Sequence, residues 1–523
     1  MATVEALDPS SPTVAAVGRR RRRSEDLCWG LVGAVVGGLV MWVAHAGFID
    51  DAYITLSYVQ NLSSDLHWGI IPTETANTAT SPLNVLLLTL ATWLAALVTG
   101  ELRPTVGLNV LTVVLSAAMA VWAARTARGL GIPSMWSLPV LALVFANPFV
   151  NSSLGLEVVL TAALLTGLTA EAVRGRRVVF GVLAGLLVLT RLDLGVVVAA
   201  VYLLSPALRR RPWVSPLVGL AVALPWFVFS WWTLGSAIPT TFVIKTLQRS
   251  FGEFTFANGW WMSWTNGYET LVMSLAIVPA LLGVVVTVAV LVVGARRRLP
   301  THLWPLAGLG IGGLAHFGAY CLLQVPPYHW YYVPTTVALG LVALLGSGVL
   351  LRQVLGDRRS RLPGTAVPVG TAALLTGLAL LAVAVAGRDL PWDRPIIYGN
   401  WALPPDYLEI GADVSDLVGD ATVASTPEIG AVAYACNCSM VDPFADPGRT
   451  LPLIDERLAQ AGPVTRFILE ANFTRLDRDQ RPRPLDYRLV WQPGVAEVPP
   501  GLPSWRTSAP NYGPGTVWLE PVS

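Results

Sequence analysis

Two adjacent carboxylates, Asp50-Asp51, directly follow an apolar stretch. Neighbouring negative charges repel, and burying both costs free energy unless a partner or cation neutralises them. The pair suits a general base, or a metal-assisted site, at a membrane–water boundary. The plainer reading is a helix cap, because Asp at a helix N-terminus complements the dipole and occupies unpaired amides. Among 35 basic residues one alone is a lysine, Lys245. Its compact, rotatable ammonium at the outer end of an apolar stretch could meet a ligand phosphate, unless it is a chance survivor of an arginine-biased composition. Arg191 and Asp193 interrupt an apolar hairpin, and Glu157 opens another apolar run. Ionisable groups at membrane depth default to a functional role with a partner; the alternative is that Arg191 and Asp193 pair with each other. Tyr328-His329-Trp330-Tyr331-Tyr332 crowds aromatics at a boundary. An interfacial belt explains most of that cluster, and a sugar-stacking wall with His329 donating is the sharper reading.

The elements that must hold these residues are membrane helices. Charged residues make up 13% of the 523-residue chain and hydrophobic residues 54%, against about 25% charged in a soluble protein. Residues 86–355 carry six acidic side chains, whereas 388–523 carry eighteen acidic and eleven basic, a local net charge of −7. The overall +2 therefore joins a membrane bundle to an acidic, water-facing tail. Nothing resembles the basic face that nucleic-acid binding requires. Cys436 and Cys438 are too close in sequence to bridge without strain. With no second Cys/His pair nearby they read as incidental rather than as a metal site.

Residues 1–26 are polar, end in the run Arg19–Arg23, and read as a disordered cytoplasmic segment. Apolar stretches follow at about 27–48, 82–99, 105–124, 134–149, 155–173, 178–190, 191–204, 213–235, 270–295, 303–323, 330–351 and 366–387. The first is an uncleaved span, since no small-residue cleavage site precedes Asp50. Basic clusters at 174–177, 209–211, 296–298 and 352–361 belong in the cytoplasm by the positive-inside rule. Parity then fails by one between 82 and 150. The preferred solution has 134–149 dipping in without crossing, which leaves about eleven spans. The bundle occupies 27–387, with outer loops at 49–81 and 236–268. The tail, 388–523, alternates short β-like runs at 421–425, 467–470 and 487–491 with a helix-like run at 453–461, and reads as a small α/β extracytoplasmic domain.

Asp50-Asp51-Ala52-Tyr53-Ile54-Thr55, Thr80-Ser81-Pro82-Leu83, Gly155-Leu156-Glu157, Leu189-Thr190-Arg191-Leu192-Asp193 and Gly235-Ser236-x-x-Pro239-x-Thr241-Phe242-x-x-Lys245 occur in one order. With Ile429-Gly430-Ala431-Val432-Ala433-Tyr434 and Val441-Asp442-Pro443-Phe444, that order resembles integral-membrane glycosyltransferases of the GT-C fold, and most of all their cell-wall arabinofuranosyltransferase-like branch. The resemblance implies a polyprenyl-phosphate sugar donor entering from the bilayer and a cell-envelope glycan acceptor outside. It implies Asp50 as the base, Asp51 orienting the acceptor or a divalent ion (Mg or Mn), and Lys245 and Arg191 on the donor phosphate. Glu157, Asp193, Tyr328 and His329 then contact substrate. The chain departs from the branch at Ala76-Asn77-Thr78-Ala79 and at Leu192.

The residue types suit the reaction. A carboxylate takes the acceptor hydroxyl's proton as an oxocarbenium-like centre develops, and a fixed cation stabilises the departing phosphate. One base without a nucleophile predicts inversion. Mannosyl or other hexosyl transfer fits the same residues, as does a non-catalytic translocation or assembly protein for lipid-linked sugars. A secondary transporter does not, because no internal repeat is present.

Overall fold

A computed structural model describes residues 12–262, 269–296, 300–355, 365–387 and 390–522. The arginines at 297–298 and 358–361 and the outer-loop residues 263–268 lie outside that set. The chain is mostly helical and ends in a small sheet. Among the described residues eight helices are long and apolar enough to cross a membrane: Arg20–Ala44, Pro82–Thr99, Pro104–Gly129, Val214–Thr233, Thr270–Arg296, Trp304–Leu323, His329–Arg352 and Ala366–Val385. This is a multi-pass membrane protein.

The first helix begins at Pro12, so much of the segment expected to be disordered is helical. Its Glu25 and Asp26 are held by the helix Pro104–Gly129: Arg125 donates to Asp26 at 2.8 and 2.9 Å, and Arg128 pairs with Glu25 at 3.2 Å. Arg20–Ala44 packs closely along Pro104–Gly129. A Cβ on Gly33 would meet the Ser116 carbonyl oxygen at 2.3 Å, and one on Gly37 its Oγ at 2.6 Å. This is the small-residue seam by which membrane helices approach each other.

These contacts resolve the parity problem differently from the expectation. Arg125 and Arg128 lie at the same end of the bundle as Arg20–Arg23, facing Asp26, and the far end of their helix lies beside Asp50, where Leu108 and Ala52 both approach Gly155. Residues 134–151 do pass between the ends. Trp136 lies against Gly348, whereas Asn147 donates to Thr336 Oγ1 near the opposite end of the same helix. The segment that does not pass is Pro82–Thr99. It starts near Asp51, bonds Trp93 Nε1 to the Ser63 carbonyl at 3.0 Å, and returns through four residues to Pro104. Length and hydropathy cannot distinguish a helix lying along the boundary from one crossing it.

Two short helices, Arg177–Thr190 and Gly195–Leu203, form the hairpin whose turn carries Arg191 and Asp193. At 1.5 Å per residue the first rises about 21 Å, which leaves the turn below the Asp50 face. Val158–Arg174 is buried from Val158 to Val173 and forms the bundle's axis.

In the tail, strands β1 (Val423–Ala424), β2 (Met440–Val441), β3 (Tyr487–Pro493), β4 (Ser504–Ala509) and β5 (Gly513–Pro521) form one sheet in the order β2-β1-β3-β5-β4. β1 is parallel to β2 and β3, and β5 is antiparallel to β3 and β4. Helices Pro404–Val418, Gly430–Cys436, Pro447–Gln460 and Pro463–Asn472 accompany it. The expected strand at 467–470 is helical: Pro463 opens the helix, and Leu469, Asn472 and Phe473 turn to one buried face. Cys436 and Cys438 form a disulfide, correcting the reading of both as incidental. Asn437 between them adopts the left-handed conformation (φ 46°, ψ 37°), and their Cα atoms lie 5.1 Å apart, within ordinary bridging distance.

Candidate functional site

Asp50 and Asp51 both lie in the first turn of the helix Asp50–Asp65, after Ile49 in extended conformation. Successive helical residues point about 100° apart, and this divides their surroundings. Asp50 is 4% exposed, and its carboxylate accepts from the amides of Gly430 (2.8 Å) and Ala431 (2.7 Å) at the start of Gly430–Cys436. It therefore caps a helix of the tail. Burial pushes its pKa well above the usual range, the nearby Glu428 adds to this, and the amide bonds oppose it. The Asp51 side chain keeps 29% of its surface and faces Lys245, Oδ1 to Nζ 3.8 Å.

Lys245 belongs to the helix Thr241–Gln248, which is tied to the first outer loop. The Thr240 amide donates to the Asn77 carbonyl at 2.9 Å, and Thr241 Oγ1 donates to the Thr78 carbonyl at 2.5 Å. Asn77 Nδ2 in turn donates to Ser236 O (2.8 Å) and Ser230 Oγ (3.0 Å). The segment in which the chain departs from the resembled branch thus anchors the lysine. The ammonium lies 4.0 Å from the Tyr328 ring centroid and 5.4 Å from that of Phe444. Burial alone would lower its pKa, but Asp51 and the flanking tyrosines outweigh it and hold the group charged.

Phe444 explains why the tail fragment around Asp442 belongs with the site. Asp442 accepts from the amides of Phe444 (2.7 Å) and Ala445 (2.9 Å), and Thr78 Oγ1 donates to the Phe444 carbonyl at 2.9 Å. Burial raises the Asp442 pKa to about 6 against the pull of those amides.

Arg191 caps Arg177–Thr190 in extended conformation. Its Nη1 donates to Glu157 at 2.6 Å, its Nε to Asp193 at 3.1 Å and its Nη2 to Tyr320. Asp193 also meets His316 Nε2 at 2.8 Å and accepts from Tyr320 Oη at 2.9 Å. One guanidinium between two carboxylates makes a hydrogen-bonded, largely buried network. The pairing of Arg191 with Asp193 is present, extended by Glu157, Tyr320 and His316. His316 escaped the sequence reading, although a histidine inside an apolar span was the available signal.

Three cavities meet at Lys245. One of about 610 Å³ is walled by bundle and tail together and includes Asp51, Tyr328, His329, Trp401 and Glu428. Another of about 250 Å³ is mostly apolar, lined by Ile238, Phe242, Leu323 and Val325, with Arg191 and Asp193 at its polar end. A third of about 50 Å³ joins them past Asp51, Thr80 and Glu157. Tyr328 Oη donates to Gln248 at 2.9 Å, and His329 Nε2 has no hydrogen-bond partner among the described residues. Glu428 was not singled out in the sequence. It accepts from Asn400 Nδ2 (2.9 Å), the Trp401 amide (2.9 Å) and Tyr407 Oη (2.8 Å), and burial lifts its pKa to about 7.

The residues expected to hold a divalent ion do not form a cage for one. Both Asp50 oxygens are engaged by amides, and Asp51 faces an ammonium rather than another carboxylate. Among the described residues no three His, Cys, Asp or Glu side chains converge.

Fold and site together define a multi-pass membrane protein with a cavity between its helical bundle and a small C-terminal sheet domain. No family model and no curated protein matches the sequence. The chain is similar to the crystal structure of ArnT from Cupriavidus metallidurans bound to undecaprenyl phosphate, with 12% identity over 94% of this chain and 97% of that one and a TM-score of 0.49. It is also similar to ArnT from the same organism in the apo state, with 12% identity over 96% and 98% and a TM-score of 0.48.

Proposed function

We propose that this protein is a membrane glycosyltransferase that moves a sugar from a polyprenyl-phosphate donor to a cell-envelope glycan. The observation that carries this reading is the Asp51–Lys245 pair, 3.8 Å apart where a narrow apolar cavity meets a larger one lined by aromatic and charged side chains. The apolar cavity suits the first isoprene units, with the phosphate at Lys245 and the Arg191 network behind it. The larger cavity, walled by Tyr328, His329 and Trp401, offers aromatic faces and carboxylates to the acceptor glycan.

The ion pair gives the two groups a common switch. A donor phosphate that draws the ammonium away frees the Asp51 carboxylate to face the acceptor hydroxyl. Asp51 then takes the acceptor hydroxyl's proton as the hydroxyl oxygen attacks the anomeric carbon and the bond to phosphate breaks. Lys245 stabilises the charge left on the phosphate. A single displacement of this kind inverts the anomeric carbon. The base is assigned to Asp51, in place of the Asp50 that the resemblance implies, because Asp50 gives both oxygens to Gly430 and Ala431.

Arabinofuranose is favoured as the sugar on the sequence resemblance. The basic clusters, which the positive-inside rule assigns to the cytoplasm, support a site and tail on the outer side of the plasma membrane.

The test is transfer from a panel of radiolabelled polyprenyl-phosphate sugars in membranes by wild type, Asp50→Asn and Asp51→Asn. Asp51→Asn is expected to lose ~10²–10⁴-fold in rate, with an inverted product by NMR. An active Asp51→Asn beside an inactive, folded Asp50→Asn would move the base to Asp50. No transfer from any donor by folded wild type would overturn the reaction.

A further inference from the structure

The tail helix Pro463–Asn472 carries two apolar faces. One is buried: Leu469 and Phe473 pack with Val243, Ile454 and Ala461, joining this helix to the lysine-bearing helix Thr241–Gln248. The other is in the open. Val464, Phe467 and Ile468 are 75%, 72% and 51% exposed, and with Ala471 they fall at i, i+3, i+4 and i+7, one continuous stripe. A water-facing helix would spend that stripe on polar residues.

Its neighbours show what covers it. Trp231 Nε1, at the end of the span Val214–Thr233, donates to the Ala471 carbonyl at 3.1 Å. Arg475 stacks over the rings of Trp232 (4.1 Å) and Trp231 (5.3 Å). Val228, Phe229 and Trp232 on that span are exposed apolar side chains facing the bilayer. The stripe thus continues the bundle's lipid-facing surface at the level where tryptophan and arginine collect in membrane interfaces.

We propose that Pro463–Asn472 is an interfacial helix that lies in the membrane surface and binds phospholipid through Val464, Phe467 and Ile468. Its position gives that contact a consequence. Asn472 exchanges two hydrogen bonds with Ile238, its Oδ1 accepting from the amide at 2.7 Å and its Nδ2 donating to the carbonyl at 3.2 Å. Ile238 lines the apolar cavity that ends at Arg191 and Lys245. The helix therefore holds the rim of that cavity at lipid depth and ties the tail to the bilayer as well as to the bundle. The inference rests on the membrane spans and is independent of the reaction.

The full chain, with Cys28→Ser and Cys321→Ser, would be spin-labelled at Phe467→Cys and, as an aqueous reference, at Asp477→Cys. It would be reconstituted into phosphatidylethanolamine–phosphatidylglycerol vesicles. The label at 467 is expected to collide with oxygen several-fold more often than with a water-soluble nickel chelate, and the label at 477 to show the reverse. Val464→Cys and Ile468→Cys repeat the measurement at the other two positions. A label at 467 as open to nickel as that at 477 would overturn the proposal. So would shielding from both reagents, which would mean protein covers the face.

Discussion

Asp50 and Asp51 are neighbours of one type with different surroundings: one clasps a helix of the tail, the other faces Lys245. Their presence could be read from the sequence, but their division could not, because it depends on where Gly430, 380 positions away, comes to rest. The unique lysine was a usable signal for the same reason that Lys245 is hard to replace. Its ammonium is compact enough to lie over Tyr328 while reaching Asp51, and a planar guanidinium demands a wider, forked arrangement. Lys245→Met should lower kcat/KM by ~10²–10³-fold, the usual effect of removing one charge-stabilising donor. Lys245→Arg should recover only part of that loss. Steady-state kinetics on protein with an unchanged melting profile would check both, and full activity in Lys245→Met would remove the lysine from the donor site. Glu428 and His316 were missed because their importance comes from burial and from partners distant in the chain, Asn400 and Tyr407 for one and Asp193 for the other.

At the scale of elements, the sequence shows which stretches are apolar but not which way they run. Pro82–Thr99 has the length and hydropathy of a span and begins and ends on one side of the bundle. The stretch at 134–149, interrupted by proline, is the one that passes through. A stretch as short as Phe467-Ile468-Leu469-Glu470 fits strand and helix alike, and the packing of Leu469 with Val243 and Ile454 goes with the helix. The short helix Gly430–Cys436 shows how tightly an element can be specified by one residue. A Cβ on Gly430 would lie 2.0 Å from the Asp50 carbonyl oxygen and 2.9 Å from its carboxylate. Backbone on both sides has to move to admit it, so Gly430→Ala should cost at least ~2 kcal/mol, read as a lower unfolding midpoint, and should disorder the cavity wall around Glu428. Gly377→Ala, with no atom within 4 Å of the added Cβ, is the matched control and should leave the midpoint unchanged or raised. Equal behaviour of the two variants would show that the Asp50 clasp yields easily.

For the whole molecule, the junction between bundle and tail is where buried carboxyls gather, and this makes the union pH-dependent. Asp50, Glu428 and Asp442 all lie there, and burial raises the pKa of each. A carboxyl with a higher pKa in the folded than in the unfolded state holds its proton more tightly when folded. Its stabilisation is complete below the unfolded pKa and is lost as pH rises through the folded value. For Glu428 that window runs from the usual 4.5 to about 7, and at 1.36 kcal/mol per pKa unit it amounts to roughly 3 kcal/mol. Asp50 and Asp442 act in the same direction. The acidic tail adds to the trend, since its net charge of −7 grows more repulsive as its carboxyls ionise. The unfolding midpoint of the full chain should therefore be highest near pH 5 and fall toward pH 8, opposite to a protein whose carboxylates are held by salt bridges. Glu428→Gln keeps an acceptor for the Trp401 amide and cannot ionise, so its midpoint should vary less with pH than that of the wild type. A midpoint that rises between pH 5 and 8 in both proteins would mean that the junction keeps these carboxyls ionised.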